Sequence, residues 1–198
     1  MLCILFITPK FVDSRGRMME PVQRSSLWRR GFDALVNSDD DALNCGGKWR
    51  QQHDNKGKCG VCGDPYDIVL RDHEAGGKYA SGIISNRYTT NDTSILVVID
   101  ITNFLGGYFE FRICPHNSFK TPVQQTCLDR HQLKIEGNRY RYYPSRRGPH
   151  HLRVELPKGM SCIQCVLQWK WHTGKDWGIC PDGIGRIGCG PQEEYVNC

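Results

Sequence analysis

The hydrophobic positions along this chain change their period once. Between residue 15 and about residue 79, glycine, aspartate, asparagine and cysteine interrupt every apolar run, so the pattern predicts long loops with short helices. Ser25 or Ser26 stands where it would cap a brief helix through Leu27-Trp28-Arg29-Arg30, which Gly31 would end. Asp39-Asp40-Asp41 is placed to close another turn before Cys45-Gly46-Gly47, since such side chains satisfy free backbone amides locally. From Lys78 onward the period becomes two. Ile95-Leu96-Val97-Val98-Ile99-Asp100-Ile101 is a β-branched run, and Gly107 to Cys114 alternates so that Phe109, Phe111 and Ile113 share one face. These two strands are expected to be neighbours. Leu152 to Leu156 and Cys165 to Trp171 repeat the pattern, each apolar on one side only. Half-buried strands separated by Gly, Pro and Asn turns predict an all-β fold of two antiparallel sheets packed face to face. The tail from 174 to 198 returns to glycine, proline and cysteine and reads as a stapled loop across one end of the sandwich.

Composition narrows the setting. With 198 residues, 39% hydrophobic and 24% charged, the chain has the make-up of one ordinary globular domain, expected over 15–198. A net charge of +5 with scattered Lys and Arg leaves nucleic acid without an electrostatic footprint. Eleven cysteines point to an oxidising compartment. Residues 1–14 carry the apolar run Leu2-Cys3-Ile4-Leu5-Phe6-Ile7 and read as a short signal peptide, with Val12 and Ser14 suiting a cut before Arg15. Removing Cys3 with that leader leaves ten cysteines for disulfides: Cys45, Cys59, Cys62, Cys114, Cys127, Cys162, Cys165, Cys180, Cys189 and Cys198. No later apolar stretch approaches the roughly 20 residues of a membrane span, so a secreted monomer is expected.

Motifs for chemistry are sparse. Cys59-Gly60-Val61-Cys62 and Cys162-Ile163-Gln164-Cys165 lie about a hundred residues apart, too far for a zinc ribbon, whose pairs stand ~20 apart, so disulfides are the better reading. The seven histidines form no zinc signature, and His150-His151 follows a basic loop. No nucleophile elbow, phosphate loop or dinucleotide pattern occurs, and none of the 21 acidic residues is singled out as a carboxylate pair. Asn91-Asp92-Thr93 is an N-glycosylation acceptor just before the strongest strand.

Taken together, Arg17 to Pro21, Ser26-Leu27-Trp28-Arg29-Arg30-Gly31-Phe32, Cys45-Gly46-Gly47, Cys59 to Pro65, Gly107 to Pro115, Cys162 to Trp169 and Gly188 to Tyr195 resemble the animal-type lytic polysaccharide monooxygenases, or chitin-binding type-4 domains. The resemblance covers nearly all of 15–198. It implies a fibronectin- or immunoglobulin-like sandwich whose flat face sits on an insoluble polysaccharide such as chitin or cellulose. It also implies a copper ion held by an amino-terminal histidine, a second histidine from a loop, and a tyrosine near the axial position. Three nitrogen donors in a T leave positions open at which reduced copper can activate oxygen.

Carried over residue by residue, the family's terminal His-Gly-Arg corresponds to Arg15-Gly16-Arg17. The segment holding the second histidine corresponds to Thr102-Asn103-Phe104-Leu105-Gly106-Gly107-Tyr108-Phe109, which puts Leu105 in its slot. Tyr195 matches the axial tyrosine, and Glu193 or Glu194 a supporting carboxylate. Arginine offers donors only and leucine offers no ligand atom, so copper is expected to be absent or weakly bound. The leading expectation is a non-catalytic polysaccharide binder. A working copper monooxygenase is the alternative if the slots are misplaced, and a secreted structural or signalling protein is the second. Trp28, Tyr66 and Trp177 are the candidate sugar-stacking aromatics, each weighed against core packing.

Overall fold

The apolar faces of the predicted strands meet in two stacked sheets. The computed structural model describes residues 15–198, so the expected leader lies outside the described residues. Strands β1 (Arg15–Glu20), β2 (Ser94–Asn103) and β4 (Gly148–Glu155) form one antiparallel sheet in the order β1-β2-β4. Strands β3 (Tyr108–Pro115), β5 (Cys165–His172) and β8 (Glu194–Asn197) form the other, in the order β3-β5-β8. A small hairpin of β6 (Trp177–Ile179) and β7 (Gly185–Ile187) stands apart from both. The fold is therefore the expected all-β, immunoglobulin-like sandwich.

Alternation places the core. Ile95, Val97, Ile99 and Ile101 turn inward from β2 and meet Phe109, Phe111, Trp169, Trp171 and Tyr195 from the facing sheet. Phe109 stands edge-on to both tryptophans, with centroids 5.2 and 5.7 Å away, an arrangement that the ring quadrupoles favour. Each buried aromatic removes roughly 150–250 Å² from water. At about 25 cal/mol per Å² that is some 4–6 kcal/mol apiece before conformational entropy is subtracted.

Three local expectations are corrected. Strands β2 and β3 do not pair but face each other across the sandwich. Both edges of β2 are taken, by β1 and β4, and Gly106 and Gly107, at φ 69° and 87°, swing the chain out of the first sheet. The brief helix is a 3₁₀ helix at Arg24–Arg30, ended by Gly31 in the left-handed region as predicted. Neither serine caps it, however. Gln23 occupies the capping position, and Ser26 lies inside the helix, donating its hydroxyl to Asp40 at 2.7 Å. The tail is only partly a loop, since its last residues form β8, which completes the second sheet against β5.

All ten cysteines pair: Cys45 with Cys59, Cys62 with Cys198, Cys114 with Cys127, Cys162 with Cys165 and Cys180 with Cys189. One CxxC closes on itself and the other sends its two sulfurs to different partners, so neither is a zinc half-site. Around Cys62 and Cys114 a second apolar cluster, with Val61, Leu128 and Val166, packs helix α1 (Gln125–Asp129) onto the outer side of the second sheet.

Candidate functional site

One end of the sandwich gathers the positions that the sequence resemblance singles out. Arg15, at the start of β1, pairs with Asn103 at the end of β2, and on the other sheet Tyr108, His172 and Glu194 form a row at the same end. Gly16 makes this meeting possible: a Cβ there would stand 3.1 Å from the Trp169 ring and 3.4 Å from that of Trp171. Gly107 is needed still more, because a Cβ would fall 1.8 Å from the His172 carbonyl oxygen. The close approach of these backbones lets Trp171 donate its indole N–H to the Gly106 carbonyl at 2.9 Å, while the Gly174 amide donates to the Leu105 carbonyl at 3.0 Å. The loop that carries Leu105 is thereby fixed against the second sheet, with the leucine half-buried.

The surroundings of Arg15 are acidic. Its Nη1 donates to Asp41 at 3.2 Å and lies 3.7 Å from Asp39. Asp41 also accepts from the Thr102 hydroxyl at 2.7 Å, and its carbonyl accepts the Gly16 amide at 2.9 Å. Burial works against the charge on Arg15, but the Asp41 hydrogen bond, with Tyr195 and Asp39 nearby, outweighs it and holds the guanidinium above its ordinary pKa. Next along the loop, Asp40 is fully buried and accepts from Arg17, Arg29 and Ser26. The aspartate run serves these arginines as well as turning the chain.

The remaining candidates separate. Tyr195 is wholly buried and packs on Trp171 at 5.5 Å. Glu193 is buried at the same end, accepting from Asn44 at 2.9 Å and Lys175 at 3.3 Å. Glu194 points to the outer face of the second sheet, bonded to His172 at 2.7 Å, Lys170 at 2.9 Å and Gln51 at 2.8 Å. Burial opposes ionisation of Glu194, yet these partners prevail and bring its pKa down to about 2.

Of the aromatics, Trp177 is 64% exposed on β6, with Ile187 opposite it in register. Trp28 is half-buried with the Arg29 guanidinium 4.2 Å above its ring. Tyr66 carries Lys58 and Arg71 over its ring. Each of these two rings thus has at least one cation against it. Sequence reasoning missed Trp49, which is 71% exposed and stacks on His53 with centroids 4.5 Å apart. Its loop is tied to the tail that carries Trp177 by Lys48–Asp176 at 2.8 Å and by the Gln52 amide donating to the Gln192 carbonyl at 2.8 Å. A tryptophan alone among Gly46, Gly47, Lys48, Arg50, Gln51 and Gln52 has no apolar neighbours to bury it, and that was the available signal.

Asn91 lies exposed in the turn before β2, at the opposite end of the sandwich. That end also opens a groove of about 1290 Å³, lined by Ile83, Tyr88, Ile113 and Met160 among others, remote from Arg15.

Sheet order and disulfides together place this chain among the immunoglobulin-like sandwiches. It is a member of the lytic polysaccharide monooxygenase family, whose model, described as cellulose-degrading, matches residues 16–198. A solved structure similar to it is the AA15 lytic polysaccharide monooxygenase from Thermobia domestica in the Cu(I) state. The two are 41% identical, with a TM-score of 0.88 over 92% of this chain and 95% of that one. No curated protein matches the chain. The family is copper-dependent, and the side chains at the Arg15 end do not fit that ion. A guanidinium bound to Asp41 has no lone pair to give, Leu105 has no ligand atom in its side chain, and Tyr195 alone is a weak donor set. Among the described residues, no three His, Cys, Asp or Glu side chains are grouped to hold a metal elsewhere.

Proposed function

We propose that this protein is a secreted, non-catalytic binder of an insoluble, chitin-type polysaccharide, docking through the sandwich end that carries Arg15, Leu105, Trp49 and Trp177. The observation that carries the reading is the Arg15–Asp41 ion pair, at the position that the sequence resemblance matches to the family's first histidine. A cation fixed there repels a metal ion and cannot ligate it.

Binding alone asks less of this face than oxidation does. Sugar rings stack on flat aromatic surfaces through their C–H faces, and Trp49 and Trp177 both leave ring surface exposed. The disulfides hold the loops that carry them: Cys45–Cys59 below Trp49 and Cys180–Cys189 across the β6–β7 hairpin. They also suit the oxidising route of a chain cut after residue 14, leaving 15–198 as one domain. A glycan on Asn91 would project from the opposite end and leave the docking face clear. Nothing in this reading calls for a nucleic acid, a membrane or a second copy, and no helix among the described residues is long and apolar enough to cross a membrane.

Sedimentation with insoluble chitin tests this. The secreted protein should pellet with chitin, and Trp177→Ala should weaken that binding by roughly ten- to a hundredfold, the usual worth of a stacking aromatic. Absence of the wild-type protein from the pellet would overturn the proposal.

A further inference from the structure

Five disulfides staple this chain, and one of them differs from the rest in exposure and in the loop it closes. In Cys45–Cys59, Cys62–Cys198, Cys114–Cys127 and Cys180–Cys189, one cysteine of each pair is buried, at 8% exposure or less. Both members of Cys162–Cys165 are only half-buried, and Ile163 between them is 82% exposed. This bridge also spans the shortest stretch of chain, 3 residues in sequence against 136 for Cys62–Cys198. In the loop-closure account, a bridge stabilises the fold by about the three-halves power of that span. Opening Cys162–Cys165 therefore shifts the folding equilibrium roughly 300-fold less than opening Cys62–Cys198. The domain stays folded when this bridge alone is open.

The turn around it is held without the sulfurs. The Asn117 side-chain oxygen accepts the amides of Ile163 at 2.8 Å and Gln164 at 3.2 Å. The Gln164 carbonyl in turn accepts the amides of His116 at 3.2 Å and Asn117 at 2.9 Å. Cys165 is fixed further as the first residue of β5, opposite Pro115. These hydrogen bonds persist when the S–S bond breaks, so the two thiols remain neighbours and re-close readily. The charge nearby favours an anionic attacker and a thiolate leaving group. Residues 113–124 and 156–169, the two segments that meet here, carry Lys120, Lys158 and His116 but no Asp or Glu.

We propose that Cys162–Cys165 is a thiol–disulfide exchange site, opened and re-closed in the folded protein by a small anionic thiol of the glutathione class. Cys165 packs partly against the core, whereas Cys162 stands in the loop ahead of β5, so the external thiolate attacks the Cys162 Sγ. An S–S bond forms from that thiol to Cys162, the Cys162–Cys165 bond breaks, and the Cys165 Sγ leaves as a thiolate that takes a proton from water. A second external thiolate then attacks the sulfur of the first and releases Cys162, which is protonated in the same way. Two external thiols are oxidised to one disulfide while one protein disulfide is reduced to two thiols. The site lies along the groove remote from Arg15, so its chemistry is separate from polysaccharide binding.

The test is graded reduction of the purified, fully oxidised protein with reduced glutathione, followed by alkylation and peptide mapping by mass spectrometry. Cys162 and Cys165 should be labelled roughly tenfold faster than any of the other eight paired cysteines, and the melting temperature of that form should fall by only a few degrees. Oxidised glutathione should then restore the bridge. In Cys165→Ser, oxidised glutathione should leave an adduct on Cys162; the wild-type labelling order decides the matter by itself if that variant does not fold. Another pair labelled first, or all five pairs labelled together as the protein unfolds, overturns the inference. A folded Cys165→Ser that takes up no glutathione overturns it as well.

Discussion

At the scale of the residue, the polar groups of this protein are assigned one by one, and small changes carry large consequences. Asp40 shows the economy of a buried carboxylate. With Arg17, Arg29 and Ser26 all donating to it, this one side chain ties the loop after the 3₁₀ helix both to β1 and back to the helix. Gly107 is the sharpest steric case, since its φ of 87° and the His172 carbonyl together exclude any side chain. Gly107→Ala should cost roughly 2–4 kcal/mol, from left-handed strain plus displacement of the neighbouring backbone. Chemical denaturation reads this directly, and a change below about 0.5 kcal/mol, the size of an ordinary surface substitution, would contradict the packing described here.

At the scale of the element, strands were legible where burial repeats every second residue, and their partners were not. Ile95 to Ile101 and Phe109 to Ile113 declare strands because each has one apolar face. That same alternation is satisfied whether the two lie side by side or across a core, and only Gly106 and Gly107, read as a turn out of the sheet, would have settled it. Trp49 escaped notice because a lone aromatic in a polar loop leaves no periodic trace. The position of Glu194 was likewise open: its choice of face is set by strand register against His172, which a sequence does not show. That register has a pH signature. Because the Glu194 pKa is depressed from 4.5 to about 2, its contribution to stability is full above pH 4.5 and is lost as the pH falls toward 2. Glu194→Gln should remove this component, worth on the order of 2 kcal/mol, and flatten the acid limb of a stability-versus-pH curve over that window. An unchanged acid limb would mean that the outer-face cluster of Glu194, His172 and Lys170 does not form.

At the scale of the whole molecule, family membership accounts for the two-sheet sandwich. What this chain does follows from its own side chains. On the proposed reading, the frame of an oxidative enzyme keeps its docking surface, while the centre of that surface is an ion pair where a metal would need lone pairs. The most direct measurement is a calorimetric titration of copper(II) into the secreted protein, with its first residue confirmed by mass spectrometry and the Arg15→His, Leu105→His double variant titrated alongside. The account predicts no tight copper uptake by the wild type and recovered binding in the double variant, where two imidazoles join the terminal amine. A sub-micromolar copper affinity in the wild type would contradict it.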